Sequence, residues 1–151
     1  MAELPLRDRA GNVLLAVRRV AESDLPPVPA SLVVVVHAGA VLMMFDRHRE
    51  QWELPGGIRE PGETARETAA RELAEETGID DVVLTFAVVA EFDLTRPVRR
   101  ELLAIYRTEL ATAPRLTLSE EGLGFRWWSP REPVDPDMSP LDAEIAARAT
   151  T

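Results

Sequence analysis

The segment Gly57-Ile-Arg-Glu-Pro-Gly-Glu63-Thr64-Ala-Arg-Glu67-Thr-Ala-Ala-Arg71-Glu72-Leu73-Ala-Glu75-Glu76-Thr-Gly78-Ile79 decides how the chain is read. Thr64 and Glu67 have the spacing of a capping box, in which hydroxyl and carboxylate each satisfy an orphan backbone amide at a helix start. Strong helix formers follow without interruption, and Gly78 stands where a left-handed C-terminal cap belongs, so a helix is predicted over Ala65–Thr77. On it Glu72, Glu75 and Glu76 lie at i, i+3 and i+4, neighbouring positions on one side. At about 100° per residue, Leu73, Ala69 and Ala70 form the expected inward stripe, with Glu72 and Glu76 at its edge. Partly desolvated carboxylates this close raise one another's pKa unless a cation joins them. Oxygen donors on a rigid helix suit Mg²⁺ or Mn²⁺, ions that keep waters and are completed by substrate phosphates. A solvated acidic helix face is the competing reading, and these three residues alone leave both open.

Working outward, composition removes alternatives. The chain has 151 residues, 46% hydrophobic and 28% charged, which describes one globular domain with its own core. There is no cysteine, so thiolate metal sites, disulfides and thiol nucleophiles are excluded. With only His37 and His48, a three-histidine zinc site cannot be built. All 17 basic residues are arginine, which excludes a lysine Schiff base and a lysine-dependent phosphate loop. A net charge of −9 argues against stable nucleic-acid binding. The N-terminus lacks the basic flank and apolar stretch of a secretory signal, and no apolar run approaches the roughly 18 residues of a membrane span, so a cytoplasmic protein without membrane attachment is expected.

Before the deciding segment, Leu4–Arg7 and Val13–Val20 flank a turn signal at Asp8–Gly11 and are expected to form a hairpin. Ser23–Ala30, with three prolines, reads as a linker, making residues 1–30 an extension within a single domain of residues 1–151. Leu32–Val36 and Val41–Phe45 read as strands buried on both faces, and Asp46–Gln51 as a loop. After the helix, Val82–Leu94 and Glu101–Leu110 are strand candidates joined by Thr95–Arg100, followed by a short strand Leu123–Trp128. Ser139-Pro140 opens a final helix. Hairpins combined with two helices indicate an α+β fold, a mixed sheet between helices.

The spacing Gly57, five residues, Glu63, seven residues, Arg71-Glu72-Leu73, one residue, Glu75-Glu76, one residue, Gly78-Ile79 resembles the Nudix box of the Nudix hydrolase family at every defined position. The resemblance implies an α/β/α sandwich and hydrolysis of a nucleoside diphosphate linked to another moiety. It implies Glu72, Glu75 and Glu76 as metal ligands, with the Gly57 carbonyl as a further ligand. Glu63 and Arg71 are implied as the supporting pair, a role that suits a guanidinium forked onto carboxylate oxygens. The catalytic base varies within the family between a box glutamate and a glutamate on a later loop. Here Ser119-Glu-Glu-Gly122 precedes Phe125-Arg-Trp-Trp128, which singles out Glu121, with Glu120 its neighbour. The expected catalytic set is therefore Glu75, Glu76, Glu121 and Arg71, with Mg²⁺ as cofactor and Mn²⁺ as a substitute.

Trp52-Glu-Leu-Pro-Gly-Gly57 resembles triphosphate-cleaving members of the mutator type. A nucleoside triphosphate, ordinary or oxidised, is therefore the expected substrate, giving nucleoside monophosphate and pyrophosphate. Nucleotide-sugar or ADP-ribose-type cleavage, or a non-catalytic nucleotide-sensing module, is the alternative. The first proline after the box, Pro97, lies eighteen residues past Ile79 rather than about sixteen, which departs from the ADP-ribose pattern. Base-contacting residues are expected from the first strands and from the loops around Asp46–Gln51 and Leu94–Arg100. Trp52 is read as a packing residue, His37 and His48 as surface residues, and Arg96, Arg99 and Arg100 as a solvated hairpin end. The segment before Ser31 is an expected source of strands for a homodimer.

Overall fold

The computed structural model describes residues 1–151. Nine strands form one mixed sheet: β1 (Leu6–Arg7), β2 (Val13–Arg18), β3 (Ala30–His37), β4 (Ala40–Asp46), β5 (Gln51–Glu53), β6 (Gly56–Ile58), β7 (Thr85–Thr95), β8 (Val98–Glu109) and β9 (Gly122–Trp128). Two helices, α1 (Ala65–Thr77) and α2 (Pro140–Ala149), lie on its two faces. The order is β1-β2-β7-β8-β3-β4-β5, with β6 on β3 and β9 on β4, and β3 runs parallel to β8 while the other strand pairings are antiparallel.

Strand alternation divides the core into two layers. Val33 and Val35 of β3, Leu42 of β4, and Ala104 and Tyr106 of β8 face Ala69 and Leu73 of α1. Val34 and Val36, Val41 and Met43, and Ile105 turn the other way, toward Leu141, Ile145 and Ala146 of α2. Both β3 and β4 are thus buried on both faces, the reason they read as unbroken apolar runs.

The sheet forks, and the fork places the site. β3 and β4 pair only at Val36↔Val41 and His37↔Ala40, beside the Ala38-Gly39 turn. Beyond that point β3 pairs with β6 through Ala30↔Ile58, Ser31↔Gly57 and Leu32↔Gly56, while β4 pairs with β5. The connection Leu54-Pro55 fills the wedge, and Val33 N–H donates to the Pro55 carbonyl at 2.8 Å. This wedge carries Gly56 and Gly57 under α1.

Several expectations are corrected. β5 takes in Gln51, the end of the expected loop, and neither β5 nor β6 was anticipated, because two three-residue strands carry no usable periodicity and form only where the fork offers them partners. The β7–β8 turn shrinks to Arg96-Pro97, and β7 begins at Thr85 rather than Val82. Ala70 is exposed; the inward stripe of α1 runs through Thr68, Ala69, Leu73, Glu76 and Thr77. Trp127 and Trp128 do alternate, yet both pack: Trp128 is 1% exposed in the α2 layer, and Trp127 lies against the α1 layer, edge-on to His37 at 5.8 Å. No helix is long and apolar enough to cross a membrane.

Candidate active site

The capping box forms in full: Thr64 accepts from Glu67 N–H, and Glu67 accepts from Thr64 N–H, while Gly78 closes the helix with φ 79°. With both ends fixed, the glutamates of α1 are presented at set positions above Gly56 and Gly57.

Arg71 organises them. Its Nε and Nη2 fork onto Glu63 at 2.7 and 3.1 Å, and Nη2 also donates to the Ile58 carbonyl at 3.0 Å. Nη1 donates to Glu72 at 2.9 Å and to Glu75 at 3.2 Å. One guanidinium therefore ties the loop before α1, the strand β6 and two helix carboxylates into one unit. The bonds from Arg71, helped by the Glu60 N–H and Thr68, hold the Glu63 carboxyl down at about 2. Glu63 is thereby a fixed anion.

Glu76 has the opposite environment. It is 7% exposed, its Oε1 accepts from Gly56 N–H at 2.8 Å, and burial pushes its carboxyl up to about 8 despite that bond. Glu72, Glu121 and Glu53 add negative charge in the same direction. Glu72 is also pushed up, first by burial and against the pull of Arg71. Glu75 is exposed, with 58% of its side chain open to solvent.

The residues fit a hard divalent cation. All donors are oxygens, the preference of Mg²⁺. The Glu72 carboxyl carbon sits 2.5 Å from where a Cβ on Gly57 would be, so the missing side chain is what admits the carboxylate against the Gly57 backbone. No group of three His, Asp or Glu side chains is preassembled to hold an ion; instead Arg71 Nη1 lies between Glu72 and Glu75 in the position of a shared cation.

The structure brings Glu121 near the helix carboxylates, since its charge bears on both Glu72 and Glu76. Arg47 fixes the backbone here, donating from N–H to the Glu121 carbonyl and from Nε to the Glu120 carbonyl, each at 2.8 Å. A cleft of about 480 Å³ opens from Gly56, Gly57 and Glu76. Its walls include residues from the segments expected to meet the base: Arg49 and Gln51, and Leu94 and Arg99.

Sequence reasoning missed the acidic wall beside Glu76. Arg49 forks onto Glu53 at 2.6 and 2.8 Å, Gln51 donates to Glu53 at 2.7 Å, and buried Asp46 accepts the His48 and Arg49 amides. Asp142 sits in the first turn of α2, where Ser139 caps its amide, and its own carboxylate accepts Leu54 N–H at 2.9 Å. Burial pushes the Asp142 carboxyl above the usual carboxylate range, reinforced by the charge of Glu53. Its only signal was its place three residues after a cap, which ordinarily denotes a local bond rather than one reaching residue 54. His48 stays on an exposed loop, whereas His37 bonds the Leu110 carbonyl at 3.0 Å.

A family model described as the NUDIX domain matches residues 25–149.

The chain belongs to the Nudix family.

A Bacillus subtilis (strain 168) relative, provisionally named an 8-oxo-dGTP diphosphatase, is 28% identical over 101 residues, 67% of this chain and 65% of the relative. The Nudix chain here therefore spans just under two thirds of that protein's length. A MutT NUDIX hydrolase from Burkholderia pseudomallei superposes with TM-score 0.71 at 20% identity, covering 84% of this chain and 100% of that one. The Escherichia coli dihydroneopterin triphosphate pyrophosphohydrolase superposes with TM-score 0.66 at 23% identity, covering 78% and 90%. These likenesses establish the α+β sandwich of the Nudix fold.

Proposed function

We propose that this Nudix chain is a metal-dependent hydrolase of nucleoside diphosphate derivatives, with nucleoside triphosphates as the leading substrates. The observation that carries the reading is one carboxylate cluster on α1, in which Arg71 ties Glu72 to Glu75, and the charges of Glu72 and Glu121 bear on Glu76, the member that lines the cleft. A complete carboxylate set favours an enzyme over a sensing module, which would have no need of it. The name of the Bacillus relative agrees with a triphosphate substrate.

Glu72, Glu75, Glu76 and the Gly57 carbonyl would hold Mg²⁺ or Mn²⁺. When bound, such an ion lowers the pKa of water and offsets charge on phosphoryl oxygens. Arg71 keeps two ligand carboxylates on their helix face, and the Gly56 N–H aims Glu76 by engaging one oxygen and leaving the other free of hydrogen bonds. We assign Glu121 as the group that takes the proton from attacking water. The new P–O bond forms as the bridging P–O bond breaks, and the phosphate or pyrophosphate product leaves with its oxygen protonated or solvated. A homodimer through the N-terminal segment would have to use the free edge of β1, because β2 is paired with β7 within the chain.

The test is incubation of the purified protein with a panel of nucleoside triphosphates, nucleotide sugars and ADP-ribose in Mg²⁺ or Mn²⁺. Monophosphate and pyrophosphate from a triphosphate are expected, with Glu75→Gln or Glu76→Gln losing turnover while staying folded. No hydrolysis of any panel member, or normal rates in those variants, overturns the reading.

A further inference from the structure

The β1–β2 hairpin lies outside the matched family domain, which begins at residue 25, yet it supplies Asp8, Arg9, Ala10 and Asn12 to the same cleft that Glu76 lines. Its turn is rigid. Asp8 accepts Asn12 N–H at 2.9 Å and Asn12 Nδ2 at 3.1 Å, and Gly11 holds φ 89°. The turn is also docked: Thr95 N–H donates to Asn12 Oδ1 at 3.1 Å, and the Thr95 hydroxyl donates to the Ala10 carbonyl at 3.2 Å. Arg9 is therefore carried on a fixed support at the rim.

Three arginines line this cleft, and two are occupied. Arg49 is paired with Glu53 and Asp46, and Arg99 with Glu101 at 2.5 Å. Arg9 makes neither an ion pair nor a hydrogen bond; its fork of donors is free. Between it and the carboxylates the wall is apolar, with Leu32, Leu54, Phe92, Leu94 and Leu103. Such a wall suits the faces of a planar heterocycle better than a phosphate. The rim itself disfavours an anion, since Asp8 and Glu101 stand there too.

We propose that Arg9 is a specificity-determining residue that reads the acceptor edge of a purine, the O6 and N7 pair of guanine, on the half of the substrate remote from Glu76. A guanidinium matches that pair with two parallel donors, whereas adenine presents a donor at the equivalent of O6 and breaks the match. The inference rests on the hydrolase reading only for which end of the cleft holds the phosphates.

The experiment is calorimetry with the α,β-imido analogues of GTP and ATP, in which the bridge to be cleaved is replaced, on the full chain in Mg²⁺. Arg9→Ala should weaken the guanosine analogue about tenfold, the size of a lost bidentate base contact, and leave the adenosine analogue unchanged. Arg9→Lys, which keeps the charge but not the fork, should behave like Arg9→Ala, and Arg7→Ala on the same hairpin like wild type. In turnover, KM for GTP should rise with kcat unchanged. Equal weakening of both analogues, restoration by lysine, no change in Arg9→Ala, or no guanine preference in wild type overturns the proposal. Discrimination in binding with no hydrolysis of any nucleotide would sink the hydrolase reading alone.

Discussion

Gly57 and Glu72 show how one absent side chain shapes a site. The Cβ that alanine would add at residue 57 falls 2.5 Å from the Glu72 carboxyl carbon, closer than real atoms approach. Gly57→Ala should therefore displace Glu72, raise the Mg²⁺ concentration for half-maximal activity at least about tenfold, and change the melting temperature little, because this part of β6 is only partly buried. A Mg²⁺ titration of turnover checks it. Glu76 makes a second prediction. Its carboxyl in the folded chain sits at about 8 against 4.5 for the ordinary group, so between those values the native state holds a proton that the unfolded state has released. Stability of the chelator-treated protein should then fall as pH rises from about 4.5 to about 8. Glutamine keeps the acceptor for Gly56 N–H and cannot ionise. Glu76→Gln should flatten that slope and stabilise the metal-free protein at neutral pH by about 2 kcal/mol, while abolishing turnover. Urea melts across pH, with and without Mg²⁺, decide the matter; a slope unchanged by the substitution refutes it.

Among the elements, α1 is fixed by residues adjacent in sequence and the forked strands are not. Both caps of α1 are local devices, and Thr64→Ala should remove one of them at a cost of about 1 kcal/mol in urea denaturation, with turnover reduced only as far as the first turn frays. The same locality made the helix and its carboxylates legible in the sequence, whereas the Arg71–Glu63 fork was expected only through the Nudix resemblance. β5 and β6 were not legible, because three residues cannot display a period and their partners lie on β3 and β4. Gly56 was missed for the same reason. Its N–H reaches Glu76, twenty positions away, only because the fork seats β6 beneath α1. Ala70 was placed inward from the helical rotation of about 100° per residue, yet the buried stripe runs through Thr68 and Thr77 instead.

For the molecule as a whole, the question is whether the N-terminal hairpin is an appendage. Leu14 is fully buried in the same apolar layer as Ile145 and Ile105, and β2 pairs with β7 from Val13 to Arg18. Leu14→Ala should destabilise the entire domain by roughly 2–5 kcal/mol in a single transition, as for other buried leucines. A separate early transition that leaves the rest of the melt unchanged would mark the hairpin as an independent unit. The sequence by itself determined the capped helix, the row of glutamates with their arginine, the exclusion of thiol and lysine chemistry, and the buried strands, because each is set by short-range periodicity, capping or composition. Only the tertiary structure decided which backbone amide meets Glu76, that Asp142 reaches Leu54, that the charge of Glu121 bears on the helix carboxylates, and that Arg9 stands free at the cleft's far rim. Those facts depend on where a splayed sheet brings distant segments together, and no pattern along the chain encodes that distance.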